Sequence, residues 1–197
     1  MAEFSWKDWW QKQGESLRII LLSLVIAVLL RSFVIEPRYI PSGSMEPTLQ
    51  VNDRIMVEKL TYHWRAPKRG EIIVFEPPFM AGKAYIKRVI GLPGEQVAIK
   101  DGKVFINGIP LEEPYILEPP RYEISPFVVP PGYYWVMGDN RNNSNDSHIW
   151  GFLPQENIQG RAILRFWPPN LRLGLITLPQ YPHPNLNMEK QLIGIDY

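Results

Sequence analysis

The chain has 197 residues, 45% of them hydrophobic and 21% charged, with a formal net charge of +1. That length fits one domain with an added segment, and the hydrophobic share excludes a disordered chain. The balance of 21 basic against 20 acidic residues leaves no basic footprint for nucleic acid. With no cysteine there is no disulfide, thiolate metal site, iron–sulfur cluster or cysteine nucleophile. Proline, at 20 residues, is about twice its usual ~5% share, which argues against a long helical bundle.

Residues 1–16 read as a short polar tail with Trp6, Trp9 and Trp10, which suit a membrane interface. The run LRIILLSLVIAVLLRSFVI follows, Leu17 to Ile35. Its uninterrupted part, Ile19 to Leu30, has 12 residues, roughly 18 Å as a helix and short of a ~30 Å bilayer core. Leu17 to Ile35 reaches about 28 Å when Arg18 and Arg31 snorkel to opposite interfaces. A cleavable signal peptide needs small residues after the apolar run, and Arg31, Ser32 and Phe33 stand there. Between a buried soluble helix and an uncleaved anchor, the expectation is a single-span anchor over 17–35. Lys7, Lys12 and Arg18 before the span, against Arg31 and Arg38 after it, favour an N-terminus inside and an extracytoplasmic remainder.

From Glu36 onward short apolar runs alternate with Gly, Pro and Asn. Arg54–Leu60, Glu71–Pro78, Ala84–Gly94 and Tyr133–Asp139 read as strands. Asp101-Gly102 and Asn107-Gly108 mark two tight hairpin turns. The Pro-Pro pairs at 77–78, 119–120, 130–131 and 168–169 mark edges or loops. The expectation is an antiparallel, mainly β domain over 36–168, about 130 residues and large enough for a core. Residues 169–197 show no clear period and read as a peripheral tail.

The chain has no G-x-S-x-G elbow, S-x-x-K, H-E-x-x-H or Walker A loop. His63, His148 and His183 sit in no motif and read as surface or turn residues. Ser44 lies in PSGSMEPTL, Pro41 to Leu49, close after the anchor. If the segment entering it is extended, Ser42 and Ser44 share a side. The segment is either a polar turn or the carrier of a nucleophile. A serine nucleophile needs a base, and without a histidine motif the candidate is a lysine. Burial favours its neutral form. Lys87, between Ile86 and Val89 in AYIKRVIG, is the lysine in an apolar strand, with Tyr85 and Val89 on its face; its other reading is a solvated or acid-paired strand lysine. MGDNRNNSNDSHIWGFLP, Met137 to Pro154, reads either as an Asx-turn loop or as part of a site, and it holds two glycosylation sequons at Asn142 and Asn145.

Taken together and in order, IPSGSMEPTL, RGEIIVF (Arg69 to Phe75), YIKRVIGLPGE (Tyr85 to Glu95) and the Met137–Pro154 segment, behind an anchor, resemble type I signal peptidases. The resemblance runs from about residue 17 to Pro168. It implies a mainly β fold, an antiparallel β-sheet/barrel catalytic domain behind one transmembrane helix. The implied activity is cleavage of signal peptides from exported preproteins through an acyl-enzyme. The resemblance makes Ser44 the nucleophile, Lys87 the general base and Ser42 an oxyanion donor beside the Ser44 N–H. Ser144 would orient the lysine, and Asp139 would pair with Arg88. Tyr39, Ile40, Pro41, Met45, Leu49, Tyr85 and Ile86 would bind the substrate as an added strand, with small side chains at positions −1 and −3. Asn142 stands where the pattern often has Asp, and His148 where an Arg often pairs with the acid at Asp146. No metal or organic cofactor is implied. The expected partners are preproteins and a lipid bilayer, the expected state a monomer, and the membrane that of a cell or a thylakoid.

Two rivals accompany this reading. Self-cleaving repressors use a Ser/Lys pair on a related β fold but carry a DNA-binding region, for which this chain has no helix-turn-helix pattern. A non-enzymatic, membrane-tethered β module binding extended peptides would keep the groove without needing both Ser44 and Lys87.

Overall fold

A computed structural model describes residues 6–169 and 173–181, with side chains from residue 13 onward. Helix α1 spans Trp6–Leu29 and continues as one wider turn over Leu30–Val34. The helix therefore begins inside the segment read as a polar tail. Its stretch Gln13–Val34 has 22 residues with mean hydropathy 2.4 and none of it buried. At 1.5 Å per residue that is about 33 Å, enough for a bilayer core. Full exposure of this apolar helix excludes the buried-helix reading and fits a transmembrane anchor.

The strands are β1 (Ile35–Tyr39), β2 (Arg54–Glu58), β3 (Ile72–Phe75), β4 (Tyr85–Gly91), β5 (Gln96–Lys100) and β6 (Lys103–Ile106). They continue with β7 (Ile109–Pro110), β8 (Ile124–Val128), β9 (Tyr133–Met137), β10 (Leu153–Pro154), β11 (Ile158–Trp167) and β12 (Gly174–Leu175). A short helix, α2, covers Ser147–Trp150. The large sheet has the order β1-β2-β11-β3-β4-β9-β10, with β12 on β11; the small sheet has the order β7-β6-β5-β8. All ladders among the described residues are antiparallel. The fold is thus mainly β behind one apolar helix.

The four strand runs read from the sequence became β2, β3, β4 and β9. Both hairpin signals hold: Asp101 and Gly102 have φ of 51° and 71°, and Asn107 and Gly108 have 51° and 79°. Positive φ at both central residues is the geometry these dipeptides favour. Strand β3 buries all four residues, because it lies between β11 and β4. Ile72 and Val74 face a cluster with Ile40, Met45, Leu49 and Ile55; Ile73 and Phe75 face one with Val89, Tyr134 and Val136. A third cluster, including Ile90, Val97, Ile106 and Trp135, joins the two sheets.

Strands β1, β8 and β11 have no counterpart in the sequence reading. Strand β1 carries Pro37, which an edge strand tolerates because no ladder N–H is required there. Strand β11 is interrupted by Gly160, Arg161 and Arg165, which blur its alternation. Within the segment 169–197, read as a peripheral tail, residues 173–181 pack on the β domain. Strand β12 pairs with β11, Ile176 N–H donates to the Ile163 carbonyl at 2.9 Å, and Tyr181 is buried at 5% exposure. Its period was invisible because Pro179 and turns break it. His183 lies outside the described residues.

Candidate active site

Two elements bring Ser44 and Lys87 together. After Ile40 the chain turns in a single 3₁₀ turn, Gly43–Met45, and is not extended through Ser44. Ser42 therefore stays extended and exposed while Ser44 is buried, so the expected same-side alternation does not hold. Met45 and Leu49 plug into the core beneath this turn. Strand β4 supplies Lys87, whose face also carries Tyr85 and Val89. The Lys87 Nζ–Ser44 Oγ distance is 2.7 Å, and Nζ also donates to the Ile86 carbonyl at 2.8 Å. Residues 43 apart in sequence thus share one buried hydrogen bond.

Lys87 is 4% exposed. Burial of its ammonium lowers its pKa from 10.5 to about 8, while the charges of Asp146 and Asp139 resist that drop. At pH 7 the neutral amine rises from about one molecule in 3,000 to about one in ten. A neutral amine accepts the hydroxyl proton that an ammonium cannot.

The loop after β9 clamps the Ser44 turn from the other side. Asn140 N–H donates to the Ser44 carbonyl and its side-chain amide to the Gly43 carbonyl, both at 3.1 Å. Gly138 lies so close that an added Cβ would fall on the Ser44 carbonyl and on Ser144. Asp139 is fully buried and accepts from Arg88 Nε at 2.8 Å and Nη2 at 2.6 Å. The expected Arg88–Asp139 pair is therefore present as a two-pronged contact. Arg88 also donates to the Gly70 carbonyl at 2.8 Å and lies 4.0 Å over the Tyr115 ring.

Asp146 keeps a partner despite the histidine at 148. Its Oδ1 lies 2.7 Å from His148 Nδ1 and accepts the His148 N–H at 3.1 Å; its Oδ2 accepts the Gly138 N–H at 2.8 Å. His148 stacks on Tyr122 with centroids 4.3 Å apart, so it is more than a surface residue. Asn142 pins the 118–121 turn by accepting from Arg121 N–H at 2.9 Å and donating to the Pro119 carbonyl at 3.0 Å.

Ser144 departs from its expected role in this geometry. It is buried beside Gly138, and its Oγ makes no hydrogen bond, whereas Lys87 is held by Ser44 and Ile86. The substrate-binding set divides as well. Tyr39 and Pro41 are exposed, Tyr85 and Ile86 half-buried, and Ile40, Met45 and Leu49 sealed in the core. Those three are core residues and present no surface to a ligand, because the 3₁₀ turn drives Met45 inward. Sequence reasoning missed Asn140, Gly138 and two buried pairs. Arg69 pairs with Glu95 and Arg141 with Glu113, each with a shortest contact of 2.5 and 2.6 Å respectively. The two pairs link distant loops, so local patterning carries no trace of them.

Tyr85, Ile86 and Lys87 pair with β3, but β9 joins β4 only from Arg88 onward. That half of β4 meets no second strand among the described residues. Among the described residues strand β1 pairs only with β2 and keeps its other edge open. Two free strand edges therefore flank the Ser44–Lys87 contact.

The family model described as signal peptidase, peptidase S26, matches residues 13–167. The chain is 55% identical over 166 residues to a probable signal peptidase I-1 of Synechocystis sp., covering 81% of this chain and 85% of that protein. It is 55% identical over 173 residues to signal peptidase I of Leptolyngbya laminosa, covering 84% of each. It is 43% identical over 167 residues to thylakoidal processing peptidase 1, chloroplastic, of Arabidopsis thaliana, covering 80% of this chain and 49% of that protein. The reading as a non-enzymatic peptide-binding module finds no support in these likenesses. With a family match over most of its length and relatives this similar, the chain belongs to the signal peptidases of the peptidase S26 family.

Proposed function

We propose that Ser44 and Lys87 are the dyad with which this chain, a serine endopeptidase, cleaves signal peptides. The single observation that carries this assignment is the 2.7 Å contact between a buried lysine amine and a serine hydroxyl. Neutral Lys87 accepts the Ser44 proton as Oγ attacks the scissile carbonyl. The oxyanion is held by the Ser44 N–H and the Ser42 hydroxyl, which the substrate covers on binding. Lys87 passes its proton to the leaving amine, and the new N-terminus departs. It then takes a proton from water, which attacks the acyl ester, and the Ser44 hydroxyl is restored as the ester breaks.

The preprotein docks as a strand between the open edges of β1 and of Tyr85–Lys87. Ile40, Met45 and Leu49 fill the core beneath, so the pockets are shallow and take small side chains at −1 and −3. Ser144, buried and without a protein partner, turns toward Lys87 once the substrate displaces the Ser44 bond. The anchor crosses the bilayer once, with the β domain extracytoplasmic in a plasma or thylakoid membrane, and the enzyme acts as a monomer. Detergent-solubilised protein incubated with a preprotein tests the dyad. Wild type releases the mature protein; cleavage by Ser44→Ala would remove Ser44 as nucleophile.

A further inference from the structure

The segment 173–181 returns along β11 and inserts its last described side chain beneath the catalytic strand. We propose that Tyr181 is a positioning residue, which holds the Arg88–Asp139 pair and, through Asn140, the turn that carries Ser44. The contacts form one chain. The Tyr181 hydroxyl is 3.3 Å from the Tyr115 hydroxyl, which donates to Glu113 at 2.9 Å. The Tyr115 ring carries Arg88 at 4.0 Å, and Arg88 grips Asp139 with its shortest contact at 2.6 Å. The next residue, Asn140, holds the carbonyls of Ser44 and Gly43.

The segment also closes on the loop before β3. A Cβ at Gly70 would stand 2.7 Å from the Pro179 ring and 3.1 Å from the Tyr181 hydroxyl. Gly70 in turn accepts from Arg88. Strap and arginine thus share one support, on the face of β4 opposite Lys87. An open cavity of about 360 Å³ lies between Arg88, Tyr115 and residues 174–179, so loss of the strap exposes this face further to water.

The consequence is electrostatic and rests on Lys87 acting as the base. Lys87 is faced by Asp146, Asp139, Ser44 and the Tyr85 ring. Tyr181 lies among Tyr115, Arg88, Glu113 and Arg69. Loosening Arg88 leaves the charge of Asp139 less compensated and lets water approach the strand. Both changes favour the ammonium, so both raise the kinetic pKa of the base.

The experiment is the pH dependence of kcat/KM for full-length Tyr181→Ala, Tyr181→Phe and Tyr115→Leu in detergent, with a preprotein substrate. For wild type, kcat/KM should climb to a plateau with a midpoint near pH 8. Tyr181→Ala and Tyr115→Leu move that midpoint up by about one pH unit. Their activity falls about tenfold at pH 7 and returns to near wild type at pH 10. Tyr181→Phe, which keeps the ring but loses the hydroxyl contact to Tyr115, moves the midpoint in the same direction by a smaller amount. A general folding defect lowers the plateau without moving the midpoint. Variant profiles that overlay wild type after scaling overturn the proposal. Tyr115→Leu reads the same relay should Tyr181→Ala fail to accumulate. If wild type itself shows no rise through pH 8, it is the dyad assignment that falls.

Discussion

Replacing Lys87 by methionine should abolish cleavage and stabilise the protein, and the second effect depends on pH in a way the first does not. Methionine is unbranched like lysine, one atom shorter, and removes the buried charge. The folded-state pKa of about 8 lies below the value of 10.5 expected of an exposed lysine, so the unfolded chain holds this proton more tightly. Below pH 8 both states are protonated and folding bears the whole desolvation cost, about 3 kcal/mol. As pH rises from 8 to 10.5 that cost shrinks, to about 1 kcal/mol at pH 10, and it vanishes above 10.5. Methionine also loses the bonds to Ser44 and to the Ile86 carbonyl, an offset of about 1–2 kcal/mol that is nearly the same at every pH. Lys87→Met should therefore exceed wild type in stability by about 1–2 kcal/mol at pH 7, and this lead should fall by roughly 2 kcal/mol on going to pH 10. Denaturant unfolding of both full-length proteins in detergent at the two pH values measures it. A stability difference independent of pH would refute the claim that the folded chain depresses this amine.

Ser42→Ala should lower kcat roughly 10²–10³-fold with little change in KM, the usual loss of one oxyanion donor; a near-normal kcat excludes the hydroxyl from that role. Gly138→Ala should reduce cleavage and lower thermal stability, because the new methyl meets the Ser44 carbonyl, which is backbone and cannot swing aside; an active, fully stable alanine variant would show that the loop yields. Asp139→Asn leaves Arg88 buried beside a neutral amide. It should cost about 3–5 kcal/mol of unfolding free energy, and a loss below 1 kcal/mol would mean that water already serves this arginine.

Regularity decided which parts of the molecule were legible in the sequence. Asp-Gly and Asn-Gly are local instructions, and their turns formed as read. The apolar alternation around Lys87 likewise placed its side chain on the face of Val89. The anchor was visible from hydropathy, but its helix continues back to Trp6, about three turns into the segment that hydropathy left as a tail. What failed was long-range or irregular. Ser44 sits in a 3₁₀ turn that buries Met45, and no alternation rule anticipates a single turn. The role of Asn140 depends on the carbonyls of Gly43 and Ser44, the first 97 residues away. Tyr181 gave no signal at all, because a residue that fills a gap under another strand carries no period of its own.

The burial of Lys87 raises a question of balance that explains why the polar loop is so heavily bonded. Two carboxylates, Asp139 and Asp146, lie near enough to favour the ammonium. Left uncompensated they would hold the lysine protonated and idle at neutral pH. Each is already engaged elsewhere. Asp139 faces the Arg88 guanidinium, and Asp146 accepts from Gly138 N–H and His148 N–H with the His148 ring beside it. Hydrogen bonds aimed at a carboxylate draw its field toward its own donors and away from a third group. Desolvation therefore prevails over the two acids, and the amine titrates near 8 rather than above 10. The same bonds fix the loop that grips the Ser44 turn. Geometry and basicity are thus set by one network, and on the proposed assignment arginine and backbone donors leave Lys87 free to serve Ser44 as a neutral base.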